Sequence, residues 1–322
     1  MREETSSVEY RMTENEQGMT VKSYLHRVLR LSGAQVTELK KDPLGILVGG
    51  NHVTVRYVLQ KGDVLSLADH DTDSSENIVP TRMPLTVLYE DDAIIVLNKP
   101  PYTPTHPSHG HYADTLANGL AALFERRGVP FVFRSCSRLD RDTSGLVTVA
   151  KTRAAAHHFQ CAHLAGTVEK TYLAVLVGHL TPQVGEIGGC IKRLEDSVIT
   201  RVVTEDDGAP ALTRYRVLAY GKAPDGRELT LCEAQPVTGR THQLRVHFAH
   251  LGCPMLGDFL YGEENDTLIG RQALHCQKTT FDHPLSGRRM TLTAAPPEDF
   301  MKLYSLFDFE ERTANRYAKN NA

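Results

Sequence analysis

In Ser137-Arg138-Leu139-Asp140-Arg141-Asp142-Thr143-Ser144-Gly145-Leu146, two carboxylates alternate with arginines and lead into a turn signal. A nearby guanidinium stabilises the charged form of a carboxylate, so Asp140 or Asp142 is expected to be an anion at neutral pH, competent as nucleophile or base. Arginine also recognises phosphate. Asp142-Thr143-Ser144-Gly145 has the letters of an aspartic-protease signature, but that chemistry needs two carboxylates sharing one proton. The chain has no second copy of those four residues, and Arg138 and Arg141 would stabilise both anions. Asp142 is better read as a brace for the loop, with Thr143 and Ser144 satisfying backbone groups.

A loop of this kind needs a rigid support. The apolar stretch 146–150 reads as a buried strand that the polar run enters. From residue 85 onward the chain alternates short β-rich runs, at 85–89, 93–97, 145–150, 171–177, 212–219, 229–235, 243–248 and 290–294, with helical spacing over 114–126 and 153–165. Gly166 is a natural stop for the second helix. Strands and helices without a strict βαβ rhythm predict an α+β domain on a largely antiparallel or mixed sheet.

At 322 residues with 41% hydrophobic and 23% charged content, the composition is that of a globular protein long enough for two domains. No apolar run approaches the roughly 20 residues of a membrane span. The polar start Met1-Arg2-Glu3-Glu4 is unlike a signal peptide, so a cytoplasmic protein without a membrane partner is expected. The six cysteines lack a CxxC pair and read as reduced thiols. His106, His109 and His111, or His242, His247 and His250, could suggest a metal, but neither group has a Cys or acidic ligand at structural-zinc spacing; no metal is expected. A net charge of −3 excludes a globally basic nucleic-acid binder but leaves room for a local basic groove.

Residues 1–18 are polar and expected to be flexible. Residues 19–68 form a compact α/β unit: apolar Val21, Leu25, Val28 and Leu29 at near-helical spacing with basic Lys22, His26, Arg27 and Arg30 between them, then a Gly49-Gly50-Asn51 turn and a Lys61-Gly62-Asp63 turn. This order resembles the small RNA-binding domain named after a small-subunit ribosomal protein, with fewer arginines on the first helix than usual. Residues 69–84 read as an exposed linker, 85–307 as one large domain and 308–322 as a charged tail.

Four segments of the large domain together resemble the RluA-type RNA pseudouridine synthases. They are 89–101 with His106-Pro107-Ser108, the opening run through Lys151, 170–178, and Thr238-Gly239-Arg240-Thr241-His242-Gln243-Leu244-Arg245-Val246-His247 followed by Leu256-Gly257-Asp258 and Leu274-His275. The match runs from about residue 85 to 297. The resemblance implies an isomerase that turns uridine into pseudouridine in structured RNA with no cofactor; the RNA-binding-like unit at 19–68 tilts the expected substrate toward ribosomal RNA, with transfer RNA as the alternative, and the protein is expected to be a monomer. It assigns Asp140 as the catalytic carboxylate, Arg245 as its basic partner and Tyr172 as the residue packed on the target base. Arg138 would displace the flipped nucleotide; Arg141 is expected to contact RNA, and Arg240 either to contact RNA phosphate or to brace its strand. The residues alone leave open whether the aspartate adds covalently or removes a sugar proton. Ser137 stands where many members have histidine, which removes a titrating ring. The rival reading is a non-catalytic RNA-binding protein that kept the fold; such a protein would be expected to have lost Asp140, Tyr172 or Arg245, and all three are present.

Overall fold

The computed structural model describes residues 7–307 apart from 30, 32, 70–73, 76 and 264–265. The charged tail 308–322 lies outside the described residues. In chain order the first elements are β1 (Ser7–Arg11), α1 (Val21–Arg27), α2 (Gly33–Lys41), β2 (Ile46–Val48), β3 (Asn51–His52) and β4 (Val64–Ala68). Four strands in the order β1-β4-β2-β3 form the small sheet, over a core of its own that includes Val21, Leu25, Leu59 and Leu65.

The remaining elements are β5 (Val87–Glu90), β6 (Ile94–Lys99), α3 (Leu116–Arg127), β7 (Arg134–Ser135), β8 (Ser144–Ala150), α4 (Arg153–Leu164), β9 (Glu169–Val177), β10 (Val184–Arg193), β11 (Arg201–Thr204), β12 (Ala209–Lys222), β13 (Glu228–Pro236), α5 (Gln243–His250), β14 (Leu274–Asp282), β15 (Arg289–Thr293) and α6 (Glu298–Lys302). They build an 11-stranded sheet in the order β11-β10-β12-β13-β9-β14-β8-β6-β5, with β15 on β14 and β7 on β8. The β14–β8 pair is parallel and its neighbours antiparallel, so the sheet is mixed and the domain α+β.

Strand β8 is the support that the polar run requires. All seven of its residues are buried, as a run of Leu, Val, Thr and Ala held between two neighbours should be. Helix α3 is fixed by a Thr115–Asn118 capping box and a left-handed Gly128, and α4 by a Thr152 cap. Gly145, the second residue of β8, has φ +113°, and a Cβ there would stand 2.3 Å from the Cys276 carbonyl oxygen of β14. Gly145→Ala should therefore cost at least about 1–3 kcal/mol in backbone strain, with the clash in addition, visible as a lowered melting temperature.

Three sequence expectations change. Residues 243–248, read as a strand from the alternation Leu244, Val246 and Phe248, belong to helix α5; every residue there is buried, so no polar face reveals the helical period. Residues 7–11, expected to be flexible, form β1, whose full length pairs antiparallel with β4. The described part of the supposed exposed linker is tied to the large domain. Asp69 is buried and accepts the Ala154 amide at the start of α4 (3.0 Å), while Ser74 and Ser75 hydroxyls accept the Phe131 and Phe133 amides (3.1 and 3.0 Å).

Candidate active site

The polar run is a tight turn pinned from several sides. The Thr143 amide donates to the Asp140 carbonyl (3.1 Å), and the Thr105 hydroxyl donates to the Leu139 carbonyl (3.2 Å). Lys99, fully buried at the end of β6, donates to the carbonyls of Arg141 (2.8 Å), Thr103 (2.8 Å) and Pro100 (3.0 Å). Burial draws its pKa down to about 7 against the opposing charge of Asp142. The three carbonyls match the three donors of an ammonium. Buried Arg271 donates to the Asp142 carbonyl (3.0 Å) and is itself gripped at two points by Asp299 (2.7 and 3.0 Å). Gln272 donates to the Thr143 hydroxyl (3.1 Å). These bonds leave the backbone on either side of Asp140 little freedom.

Asp140 and Arg245, 105 residues apart in the chain, meet at 3.5 Å, the carboxylate side chain 28% exposed and the arginine 4%. Arg245 is aimed by Asp258, whose side chain is 0% exposed and takes both arms of the guanidinium at 2.7 and 2.6 Å. Asp258 also accepts the Leu260 and Tyr261 amides, so this acceptor is itself fixed. The guanidinium lies over the Tyr261 and Phe259 rings, 5.2 and 5.8 Å from their centroids. Burial opposes its charge, but Asp258 and then Asp140 outweigh that and raise its pKa. The result is a permanent cation that steadies a carboxylate left open to solvent.

Tyr172 stands on β9 opposite Cys276 of β14, which in turn pairs with Gly145 of β8, so three adjacent strands bring the tyrosine beside the Asp140 turn. It is 8% exposed. Burial first, then the Cys276 thiol and the Asp140 carboxylate, push its phenol well above its ordinary range, so it is a neutral phenol.

The three arginines expected to contact RNA differ. Arg138 is exposed, with no carboxylate paired to it among the described residues, and it lies near His106, whose pKa is lowered by burial and then by Arg138. Arg141 is exposed but its guanidinium grips Asp142 (2.8 and 3.0 Å), which is the brace expected of that aspartate. Arg240 is exposed and donates to the Pro210 carbonyl at the start of β12 (2.9 Å), so it braces the strand. Ser137, where a histidine is usual in the family it resembles, keeps its Oγ buried with no partner among the described residues.

In the sequence Asp258 and Lys99 (within 89–101) stood only inside motifs, and His242 inside a motif and a histidine group set aside as a metal site. No short-range pattern announces that Asp258 turns back on Arg245 or that Lys99 spans to the Arg141 carbonyl, since both depend on the tertiary fold. Among the described residues no group of three or more His, Cys, Asp or Glu side chains could hold a metal ion, and no helix is long and apolar enough to cross a membrane.

The RNA pseudouridylate synthase family matches residues 93–250, which include Asp140, Tyr172 and Arg245. A Bacillus subtilis (strain 168) protein named uncharacterized RNA pseudouridine synthase YjbO is 40% identical over 285 residues, covering 88% of this chain and 98% of the relative. A protein of Xanthomonas campestris pv. campestris named ribosomal large subunit pseudouridine synthase D is 35% identical over 292 residues, covering 86% of this chain and 82% of the relative. Among solved structures, human RNA pseudouridylate synthase domain containing 1 superposes with TM-score 0.58 at 27% identity, covering 73% of this chain and 95% of its own. With a relative this similar along nearly its whole length, and with a clamped Asp–Arg pair at the end of a buried strand, the chain belongs to the RluA-type RNA pseudouridine synthases, isomerases that convert uridine to pseudouridine in RNA.

Proposed function

We propose that the protein isomerises particular uridines of ribosomal RNA, as a cytoplasmic monomer, with Asp140 as its catalytic carboxylate. The observation that carries this reading is the half-open Asp140 facing a buried Arg245 whose orientation Asp258 fixes. The relatives named ribosomal large subunit pseudouridine synthases favour ribosomal over transfer RNA. Isomerisation needs no redox partner: the bond from base to ribose breaks at nitrogen and reforms at carbon. The uridine must first leave its stack, at a cost of a few kcal/mol that protein contacts offset. Arg138, exposed and without an acid partner among the described residues, suits the space the base vacates. Tyr172 suits packing on the base, and as a neutral phenol it is a poor proton acceptor. The exposed Lys22, Arg27 and Lys40 of α1 and α2 give the small domain a basic surface for the RNA backbone.

Unmodified ribosomal and transfer RNA transcripts, each incubated with the protein and assayed for pseudouridine, test the substrate. Product is expected in ribosomal RNA; product confined to transfer RNA would contradict it. Arg138→Ala separates two roles. A phosphate contact alone would lower affinity and reduce the salt slope of binding by about 1 without slowing saturated turnover. Extrusion of the base predicts that turnover at saturating RNA falls as well, by about tenfold, corresponding to about 1.4 kcal/mol of unstacking help.

A further inference from the structure

His242 caps the start of α5, three residues before Arg245, with φ +57°, a backbone conformation uncommon for a residue with a side chain. Its Nδ1 lies 3.0 Å from the Tyr261 hydroxyl, and the ring of Tyr261 packs on the Arg245 guanidinium that meets Asp140. The imidazole thus belongs to the catalytic cluster, although neither the Asp140–Arg245 pair nor Tyr172 requires it.

The tautomer decides what this imidazole can offer. The Tyr261 oxygen accepts the Arg201 amide (2.9 Å), and among the described residues His242 Nδ1 is the other group bonded to it. A phenol has one proton to give. If the phenol gives that proton to Nδ1, the neutral ring carries its own hydrogen on Nε2. Nε2 has no hydrogen-bond partner among the described residues and is not sealed from solvent. The charged groups around the ring are Asp140 in the catalytic turn, Arg245 on α5, Asp258 in the following loop and Arg201 on β11. Burial, then Arg245 and Arg201, keep the ring neutral against the two acids.

We infer that His242 is a further catalytic residue, its Nε2–H donating to a carbonyl oxygen of the detached uracil, with Tyr261 as the positioning residue that sets the tautomer. The inference rests on the uridine-isomerising reading. When the C1′–N1 bond breaks, its electron pair leaves with the base, whose negative charge spreads onto the ring carbonyl oxygens. After the base turns, a ring π pair forms the C5–C1′ bond, C5 then loses its proton and N1 gains one, so no oxidant or reductant is needed. Arg245 is already held between two carboxylates, so a separate donor has to stabilise the transient anion.

The test uses total RNA from cells lacking the gene, which contains the target whichever RNA it is, with single-turnover rates at saturating enzyme and RNA dissociation constants measured separately. His242→Ala should slow the chemical step by about 10²-fold while leaving the dissociation constant within about threefold. His242→Gln, whose amide restores a donor near Nε2, should recover about tenfold of that loss, and Tyr261→Phe, which frees the tautomer, should slow the step about tenfold. An unslowed His242→Ala, or a Gln variant no faster than Ala, would overturn the inference. Should Ala prove unstable to heating, Tyr261→Phe decides: a wild-type rate there overturns it as well. Failure of the wild-type protein to form any pseudouridine would instead strike the isomerase reading beneath it.

Discussion

Asp140→Asn is expected to abolish pseudouridine formation, by about 10⁴-fold or more in turnover, because an amide can neither add to the sugar as an anion nor take its proton. RNA binding should stay within a few-fold, and for a reason visible in the site. The carboxylate is partly exposed, its backbone is held by Thr143 and its neighbours by Thr105 and Lys99, and none of those bonds uses the side chain. Removing one negative charge beside Arg245 also lowers repulsion toward phosphate. Stability should change little, since only a 3.5 Å contact at the site's mouth is lost. Product assays on RNA alongside filter binding and thermal unfolding measure the three effects separately. Near-normal turnover would remove Asp140 from the chemistry.

Arg245→Ala should have the second largest effect, and on two quantities at once. Turnover is lost because Asp140 loses its oriented cation. Stability falls because Asp258, with 0% exposed side chain, is left as an uncompensated buried charge, at a cost of about 3–5 kcal/mol. The double variant Arg245→Met with Asp258→Leu separates these. Replacing both partners by apolar groups removes the uncompensated charge and should recover part of the melting temperature, with the Leu260 and Tyr261 amides left without their Asp258 acceptor, while activity stays lost. If the double variant regained turnover, Arg245 would be a folding residue only. Arg245→Lys should keep much of the fold yet remain slow, since an ammonium cannot hold Asp258 at two points and still face Asp140.

The polar turn and the strand it enters were legible because their physics is local: acids and arginines close in sequence, followed by an apolar strand, which the fully buried β8 matches. The α+β character was legible for a similar reason, since β6, β8 and β9 are short, nearly unbroken runs of β-formers, the mark of strands buried on both faces. Helix α5 was not, because a helix buried on all sides loses the polar stripe that identifies it, and its alternating Leu, Val and Phe imitate a strand. Strand β1 was hidden in a polar segment whose pairing depends on β4, more than fifty residues later. Within the site, Asp140 and Arg245 could be named from motif letters. Asp258's grip on Arg245 and the link from Arg201 through Tyr261 to His242 could not, since each joins separate elements of the tertiary fold.

The central claim, that Asp140 makes this protein a uridine isomerase, is tested most directly by mapping pseudouridine across total RNA from three strains: gene intact, gene deleted, and deleted but carrying the Asp140→Asn form. A small set of ribosomal RNA positions should be modified in the first strain and unmodified in both others. Identical maps with and without the gene, or full restoration by the Asp140→Asn protein, would contradict it.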